Sequence, residues 1–398
     1  MKRRNFLSTL TAVGLATAAR PTIGFAGPAI ATTSRSAKLD LHTLLDVTEV
    51  PGMAFAGVVR GKPVQQVSGL RLAPPDLPPG ITASADRRPP GPPIDRDTYF
   101  PAASLTKPVF AWAVHELIRQ GKFELRKPLQ DYLDLGLTGE AKRITAEFVL
   151  THSSGLPNWR FQLDKPLVAE FMPGSSWQYS GEGIFLLQRV VEKIVATPIA
   201  AYMKEHVLRP LRMTTNTFAW SPEIQSKAAS GHDRHAKLLE RSSVFYEKRN
   251  YEVITKAGLQ PESATYEQIV SAYEKAKATP LPIAMSPNMA GSLWTTVVDY
   301  PKFLKAVLSE IPKYFEDYKL RNMVNNTIGW SLGWGVDKTF RRPAWFHWGD
   351  GPGFKNFAWV QPETNTYLVF FTNGDHGQAA YSFVFRKLVG DVASLAWL

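Results

Sequence analysis

The order of the secondary-structure patterns constrains the fold more than any other feature of this sequence. Strand patterns lie at both ends of the chain, and helical patterns lie between them. Near the start, residues 53–59 and 64–69 are predicted to form a hairpin around Arg60-Gly61-Lys62-Pro63. Three more strands are predicted in the last hundred residues, at 345–348, 355–361 and 366–372. The two ends are therefore predicted to assemble one antiparallel sheet.

The middle of the chain has the pattern of helices joined by long loops. Apolar residues at helical spacing predict a helix that begins close to Ser104 and stops at Gly121. Pro108 fits such a helix only in its first turn, where a missing backbone donor costs nothing. A later pattern at 381–395 predicts an amphipathic helix that packs on the sheet. The predicted fold class is α+β, an antiparallel sheet flanked by helices with an inserted, mainly helical lobe.

The first 31 residues have the pattern of a twin-arginine export signal. Lys2-Arg3-Arg4 precedes a short apolar run from Phe6 to Ala19, and Ala29-Ile30-Ala31 supplies small residues for cleavage. The run is too short to cross a bilayer, and no second stretch approaches that length. We therefore expect a soluble protein without stable membrane insertion, periplasmic or secreted.

The rest of the chain is predicted to be one domain with two lobes. Its predicted divisions are the whole domain at 32–398, a sheet lobe at about 39–105 and 288–398, a helical lobe at about 106–287, and a variable, lid-like insert at about 236–286. Eight prolines fall between Pro74 and Pro93, which predicts a polar surface loop because proline suits neither helix interiors nor central strands.

Composition excludes several classes of protein. The chain has no cysteine, so disulfides and a cysteine-linked lipid anchor are excluded. The net charge of +11 falls by four to +7 without the signal, and its basic residues are scattered, so we expect no nucleic acid partner. His232 and His235 have metal-like spacing but no third ligand beside them, which favours a solvated loop. No metal or organic cofactor is predicted, and the sequence leaves the oligomeric state open.

Ser104-Leu105-Thr106-Lys107 is the main candidate for chemistry. Residues three apart lie on one face of a helix, so the Lys107 amine is expected beside the Ser104 hydroxyl, as a nucleophile needs of its activator. The start of a helix adds unpaired amide hydrogens and the positive end of the dipole. The alternative is that Ser104 only caps the helix. One Ser-x-x-Lys pair is weak evidence by itself.

Further motifs strengthen the case that Ser104 and Lys107 are catalytic. Together with this pair they resemble the serine β-lactamase and penicillin-binding-protein superfamily, in particular its class C-like esterase and peptidase branch. The resemblance runs from about Leu39 to Leu398. It rests on Ser104-Leu105-Thr106-Lys107, Leu150-Thr151-His152-Ser153-Ser154-Gly155-Leu156-Pro157, Pro173-Gly174 with Tyr179-Ser180, Gly291-Ser292-Leu293 with Asp299, and His347-Trp348-Gly349.

The resemblance implies a role for each site residue. Ser104 would be the nucleophile, with Lys107 and Tyr179 handling protons; the sequence leaves open which of the two is the base. His347-Trp348-Gly349 would be the third motif, facing the substrate. The backbone amides of Ser104 and Asp350 would form the oxyanion hole. Trp348 is the best candidate for a pocket wall, and His152 is expected to hold a loop.

Two positions depart from the family pattern. His347 stands where a lysine is common, and a group titrating near 6.5 would bind a substrate carboxylate more weakly or with pH dependence. Gly181 stands where an asparagine is usual, two residues after Tyr179, which removes an amide expected to hold the substrate carbonyl. Both changes argue against efficient β-lactam hydrolysis.

The leading hypothesis is an exported serine hydrolase that cleaves a small ester, amide or D-peptide through an acyl-Ser104 intermediate. Esterase or D-peptidase activity is favoured, with β-lactamase or D-alanyl-D-alanine carboxypeptidase activity as the alternative. A second class of function is a non-catalytic protein that binds cell-wall fragments or β-lactams. Transfer of the acyl group to an added alcohol or amine is a third.

Overall fold

The computed structural model describes residues 40–73, 91–162, 166–339, 341 and 343–397. These residues belong to one compact unit. The predicted export signal and most of the proline-rich loop lie outside the described residues. Within the described residues, no helix has the length and apolar character needed to cross a membrane.

An antiparallel sheet built from both ends of the chain is the centre of the fold, and the α+β prediction is confirmed. The strands of the described chain are β1 (Gly52–Val59), β2 (Lys62–Gly69), β3 (Phe100–Pro101), β4 (Trp294–Thr295), β5 (Asn322–Met323), β6 (Ile328–Trp330), β7 (Gly335–Asp337), β8 (Ala344–Gly351), β9 (Phe354–Gln361) and β10 (Thr366–Thr372). The large sheet has the order β2-β1-β10-β9-β8-β7-β6-β5, and β3 pairs separately with β4. The predicted hairpin is confirmed, with its turn at Arg60-Gly61.

Helices cover both faces of this sheet. The helices of the described chain are α1 (Leu41–Thr48), α2 (Thr106–Arg119), α3 (Ala146–Leu150), α4 (Gly181–Val195), α5 (Ile199–Met203), α6 (Pro222–Lys227), α7 (Ser243–Lys256), α8 (Tyr266–Lys275), α9 (Tyr300–Lys313), α10 (Phe315–Tyr318), α11 (Gly377–Leu388) and α12 (Ala393–Trp397). Successive residues of a strand point to opposite faces. Accordingly, Phe371 meets Tyr300 of α9, whereas Phe370 meets Tyr381 of α11.

Helix α2 lies in the core and packs against α9, which covers one face of the sheet. Eleven of its fourteen residues are buried, so it is apolar almost all round. Trp112 packs edge-on against Phe303 of α9, 5.9 Å between ring centroids. The residues that precede and begin this helix, including Ser104 and Lys107, are thereby held at the edge of the core.

Three local predictions need correction. The gap between the strands predicted at 345–348 and 355–361 is shorter, because β8 and β9 stay paired as far as Gly351 and Phe354, and the turn is Pro352-Gly353. The helix predicted over 381–395 is divided into α11 and α12, since Gly390 has a φ of 122° that no helix permits. His232 is not in a solvated loop: it is buried, and its Nε2 accepts a hydrogen bond from the Ala73 amide at 3.0 Å.

Candidate active site

Ser104 lies in a tight turn that the surrounding elements hold in place. A 3₁₀ turn at Ala103–Leu105 leads into α2, and Ala103 has a left-handed φ of 49°. For a residue with a side chain such a backbone is strained by roughly 1 kcal/mol or more. The Ala102 amide donates to the Leu293 carbonyl at 2.8 Å, and the Tyr300 hydroxyl donates to the Leu105 carbonyl at 2.9 Å. These contacts keep the strained turn in one conformation.

Ser104 does not cap α2, so the capping alternative is excluded. The residue at the cap position is Leu105, and no side chain caps the helix there. The Ser104 hydroxyl instead meets Lys107, whose Nζ donates to Ser104 Oγ at 2.9 Å. The predicted pairing of these two side chains along one helix face is therefore present in the fold.

Lys107 is buried, with only 2% of its surface exposed. Its Nζ also donates to the Ala290 carbonyl at 2.7 Å and lies 4.8 Å from the centre of the Tyr179 ring. Burial disfavours the charged amine and lowers the pKa of Lys107 to about 7. A substantial fraction of the amine is therefore neutral at neutral pH, and a neutral amine accepts a proton.

Tyr179 is stacked between two rings just before α4. Its ring centroid is 4.2 Å from that of His152 and 5.2 Å from that of Trp348. Burial raises the pKa of Tyr179, the Ser104 side chain facing it offsets part of that rise, and the charge of Asp350 adds to it. The phenol is thus protonated at neutral pH. Its oxygen is buried and lies beside the Ser104 side chain, which is its polar neighbour.

His152 has more contact with Tyr179 than the sequence suggested. Besides stacking on the tyrosine ring, it accepts the Gln178 amide with its carbonyl at 2.7 Å and the Ser180 amide with its Nδ1 at 3.2 Å. It therefore fixes the backbone on both sides of Tyr179. His152 has a left-handed φ of 53°. In the sequence, the turn residues Ser153 to Pro157 that follow it were the feature that pointed to this loop.

His347 is not the pH-sensitive cation that the sequence suggested. It is fully buried, and burial together with the nearby Lys107 charge lowers the pKa of His347 to about 3. Its Nδ1 lies 2.7 Å from the Trp348 carbonyl, so that nitrogen carries the proton and donates. The other nitrogen, Nε2, is buried without a partner among the described residues. The third motif thus offers a neutral imidazole.

Gly181 leaves room for a neighbouring indole. A β-carbon at this position would lie 2.4 Å from Cζ2 of Trp159. Trp159 therefore occupies the space into which an asparagine at position 181 would extend. The departure from the family pattern is a packing change, and an asparagine would fit only if the indole moved.

Strand β8 passes very close to the turn that holds Ser104. A β-carbon at Gly349 would lie 2.2 Å from the Ala102 carbonyl oxygen. Glycine is required here by the close approach of the two backbones. Asp350 follows on the same strand, and its side chain is exposed and paired with Lys355. The oxyanion hole expected from the Ser104 and Asp350 amides stays a prediction.

The close approach gives a stability prediction. Gly349→Ala forces β8 and the Ala102 backbone apart, and we expect it to lower the free energy of unfolding by about 2 kcal/mol. Gly291→Ala is the matched control, because its new β-carbon would be 3.9 Å from the nearest atom, in Ala103. Chemical denaturation measures both. Equal stability of the two variants would contradict the packing argument.

The comparison with known families agrees with this geometry. The family described as Beta-lactamase matches residues 41–390. The chain belongs to the beta-lactamase family.

Known proteins resemble the chain at moderate identity. Esterase EstB of Burkholderia gladioli is 32% identical over 174 residues, covering 36% of this chain and 44% of that protein. Protein Rv1367c of Mycobacterium tuberculosis is 27% identical over 258 residues, covering 55% and 56%. The matched regions thus span about half the length of these relatives. The octameric penicillin-binding protein homologue from Pyrococcus abyssi superposes with a TM-score of 0.63 at 18% identity, over 88% of this chain and 76% of that one, and shares the fold.

Proposed function

We propose that this protein is a serine hydrolase that cleaves a neutral ester through an acyl-Ser104 intermediate. One observation carries the proposal: the buried amine of Lys107, with a pKa of about 7, lies 2.9 Å from the Ser104 hydroxyl. A nucleophilic serine needs an adjacent base whose pKa is near the working pH. Lys107 supplies this without a metal or an organic cofactor.

Lys107 is the better candidate for the base, and Tyr179 for the acid. In acylation, Ser104 Oγ attacks the ester carbonyl carbon while its proton moves to Lys107 Nζ. As the bond to the alcohol breaks, Tyr179 gives its proton to the leaving oxygen, and the proton on Lys107 restores the phenol. The raised pKa of Tyr179 keeps the phenol protonated for this role. Water then attacks the acyl group along the same proton path, and Ser104 is regenerated.

An ester without a charge suits the site better than a carboxylate-bearing substrate. The neutral His347 provides no cation for a substrate carboxylate, which β-lactams and D-alanyl peptides carry. The indole of Trp159 takes the place of the expected amide beside Gly181. The relative from Burkholderia gladioli, named an esterase, supports the same choice. D-peptidase or β-lactamase activity remains the alternative.

Covalent labelling of Ser104 tests the proposal. We expect a fluorophosphonate to add one adduct to the folded protein at neutral pH, seen as a shift in intact mass and localised to Ser104 by peptide mapping. Ser104→Ala is the control and should remain unlabelled. An unlabelled parent protein, or an adduct on another residue, would contradict the nucleophile assignment and would favour a non-catalytic binding protein.

Export by the twin-arginine route is a separate proposal that rests on residues 1–31 alone. Cell fractionation of the full chain tests it independently of the chemistry.

A further inference from the structure

Three partly exposed tryptophans form a set of ring contacts that starts at Tyr179, and we call Trp177, Trp348 and Trp397 the aromatic wall. The Trp397 ring lies 5.1 Å from Trp348 and 5.6 Å from Trp177, measured between centroids. Trp348 in turn lies 5.2 Å and Trp177 6.5 Å from the Tyr179 ring. The wall therefore begins at the phenol that faces Ser104 and extends away from it.

The aromatic wall packs against buried rings of the protein core. Beneath it lie the buried rings of Trp330 and Phe346, whose centroids are 6.3 and 6.1 Å from Trp397. Helix α12, which carries Trp397, is anchored at its start. The Ser394 amide donates to Asp337 Oδ2 at 2.7 Å, and the Ala393 amide donates to Thr339 Oγ1 at 3.0 Å. Trp397 is thus held in position rather than lying on the surface by chance.

Unpaired polar atoms are concentrated in the same cluster. Buried atoms without a partner among the described residues include Trp177 Nε1, Trp330 Nε1 and His347 Nε2. Buried polar atoms in a protein core are nearly always hydrogen-bonded. Three such atoms on adjoining rings mark this cluster as one whose polar groups the fold leaves without protein partners.

The position of the wall decides which part of the substrate it meets. Tyr179 protonates the leaving oxygen in the proposed mechanism, so that oxygen must come within hydrogen-bond distance of the phenol. The group attached to that oxygen then comes next to Trp348, the wall ring nearest to Tyr179. Aromatic rings stack on one another and exclude water, and the neutral His347 adds no charge that would favour an anion.

We propose that the aromatic wall binds the alcohol part of the ester and selects an aromatic or similarly bulky, uncharged alcohol, with Trp397 as a specificity-determining residue. This inference rests on the proposed function. It assigns the rings to the leaving group rather than to the acyl group.

Three esters separate these possibilities. 2-Naphthylmethyl acetate has the ring on the alcohol side, ethyl 2-naphthylacetate has it on the acyl side, and ethyl acetate has none. The two alcohols are both alkyl alcohols of similar acidity, so leaving-group chemistry does not confound the comparison. The measured quantity is the ratio of kcat/KM for each naphthyl ester to that for ethyl acetate.

We expect Trp397→Ala to lower the ratio for 2-naphthylmethyl acetate about tenfold and to leave the ratio for ethyl 2-naphthylacetate within about twofold. Trp397→Phe keeps a ring and should retain most of the preference. Phe383→Ala, an exposed aromatic of α11 outside the cluster, is the matched control and should change neither ratio. A Trp397→Ala loss confined to the acyl-side ester, or no loss, would overturn the proposal.

A binding measurement distinguishes failure of this inference from failure of the proposed function. Isothermal titration calorimetry of 2-naphthylmethanol with Ser104→Ala needs no catalysis. Adding Trp397→Ala to that protein should weaken binding about tenfold. If Trp397→Ala weakens binding and the parent hydrolyses no ester, the hydrolase function is rejected and the role of the aromatic wall is supported. If the two proteins bind 2-naphthylmethanol equally, or neither binds it, the role of the aromatic wall is rejected.

Discussion

Lys107→Met should lower kcat/KM for ester hydrolysis on the order of 10⁴-fold, because it removes the base that takes the Ser104 proton. The amine is buried and is 2.9 Å from Ser104 Oγ and 2.7 Å from the Ala290 carbonyl, so no solvent base is in the same position. Methionine has a similar length and is apolar, so the buried site should accept it. Steady-state kinetics with an alkyl acetate measures the loss.

The pH profile of the parent protein gives the same prediction a second readout. The proton-accepting form of Lys107 is the neutral amine, and the pKa is lowered to about 7. The fraction of that form therefore rises with pH through about 7, and kcat/KM should rise about tenfold per pH unit below this value and level off above it. In Lys107→Met this rise should be lost from the residual activity.

Lys193→Met on the exposed surface of α4 is the control for a lost lysine charge, and its kinetics should match the parent. Circular dichroism checks that Lys107→Met is folded. A folded Lys107→Met protein with more than a tenth of the parent activity, or a parent profile that is flat between about pH 5 and 8, would show that Lys107 is not the base.

Tyr179→Phe should lower kcat/KM for an alkyl ester about 10²- to 10³-fold, because the leaving alkoxide loses its proton donor. The loss should be much smaller for a p-nitrophenyl ester, since p-nitrophenolate leaves without being protonated. Phenylalanine keeps the ring that stacks on His152 and Trp348, so packing is preserved. Comparing the two esters isolates the hydroxyl.

The control is Tyr202→Phe, which removes the hydroxyl of a buried tyrosine of α5 and should leave both rates unchanged. If Tyr179→Phe slows both esters by the same factor, its hydroxyl does not act on the leaving group. The Tyr179 hydroxyl would then act in the step in which Ser104 attacks the carbonyl, and not when the alcohol leaves.

Local patterns in the sequence were sufficient for the fold class and for the five longest strands, whereas the short strands β3 to β7 were not predicted. Strand patterns at both ends of the chain predicted a single sheet, and β1, β2, β8, β9 and β10 lie where those patterns stand. The spacing of Ser104 and Lys107, with Pro108 behind them, predicted two side chains on one face at the start of a helix. These predictions need only nearby residues, because periodicity and turn chemistry act over a few positions.

The chemical state of the site was decided by tertiary structure alone. His347 is neutral and Lys107 is half-neutral near pH 7 because both are buried, and burial depends on every element packed around them. The Ala290 carbonyl, 183 positions from Lys107, was not a candidate from sequence.

The same holds for packing between distant segments. Trp159 fills the space at Gly181, and Trp397 reaches Trp177 across more than half the chain. The sequence by itself thus determined the order of the main elements and the pairing of Lys107 with Ser104 at the start of a helix. The protonation states and the shape of the pocket were decided only by the folded structure, because they arise from contacts between residues that no local pattern relates.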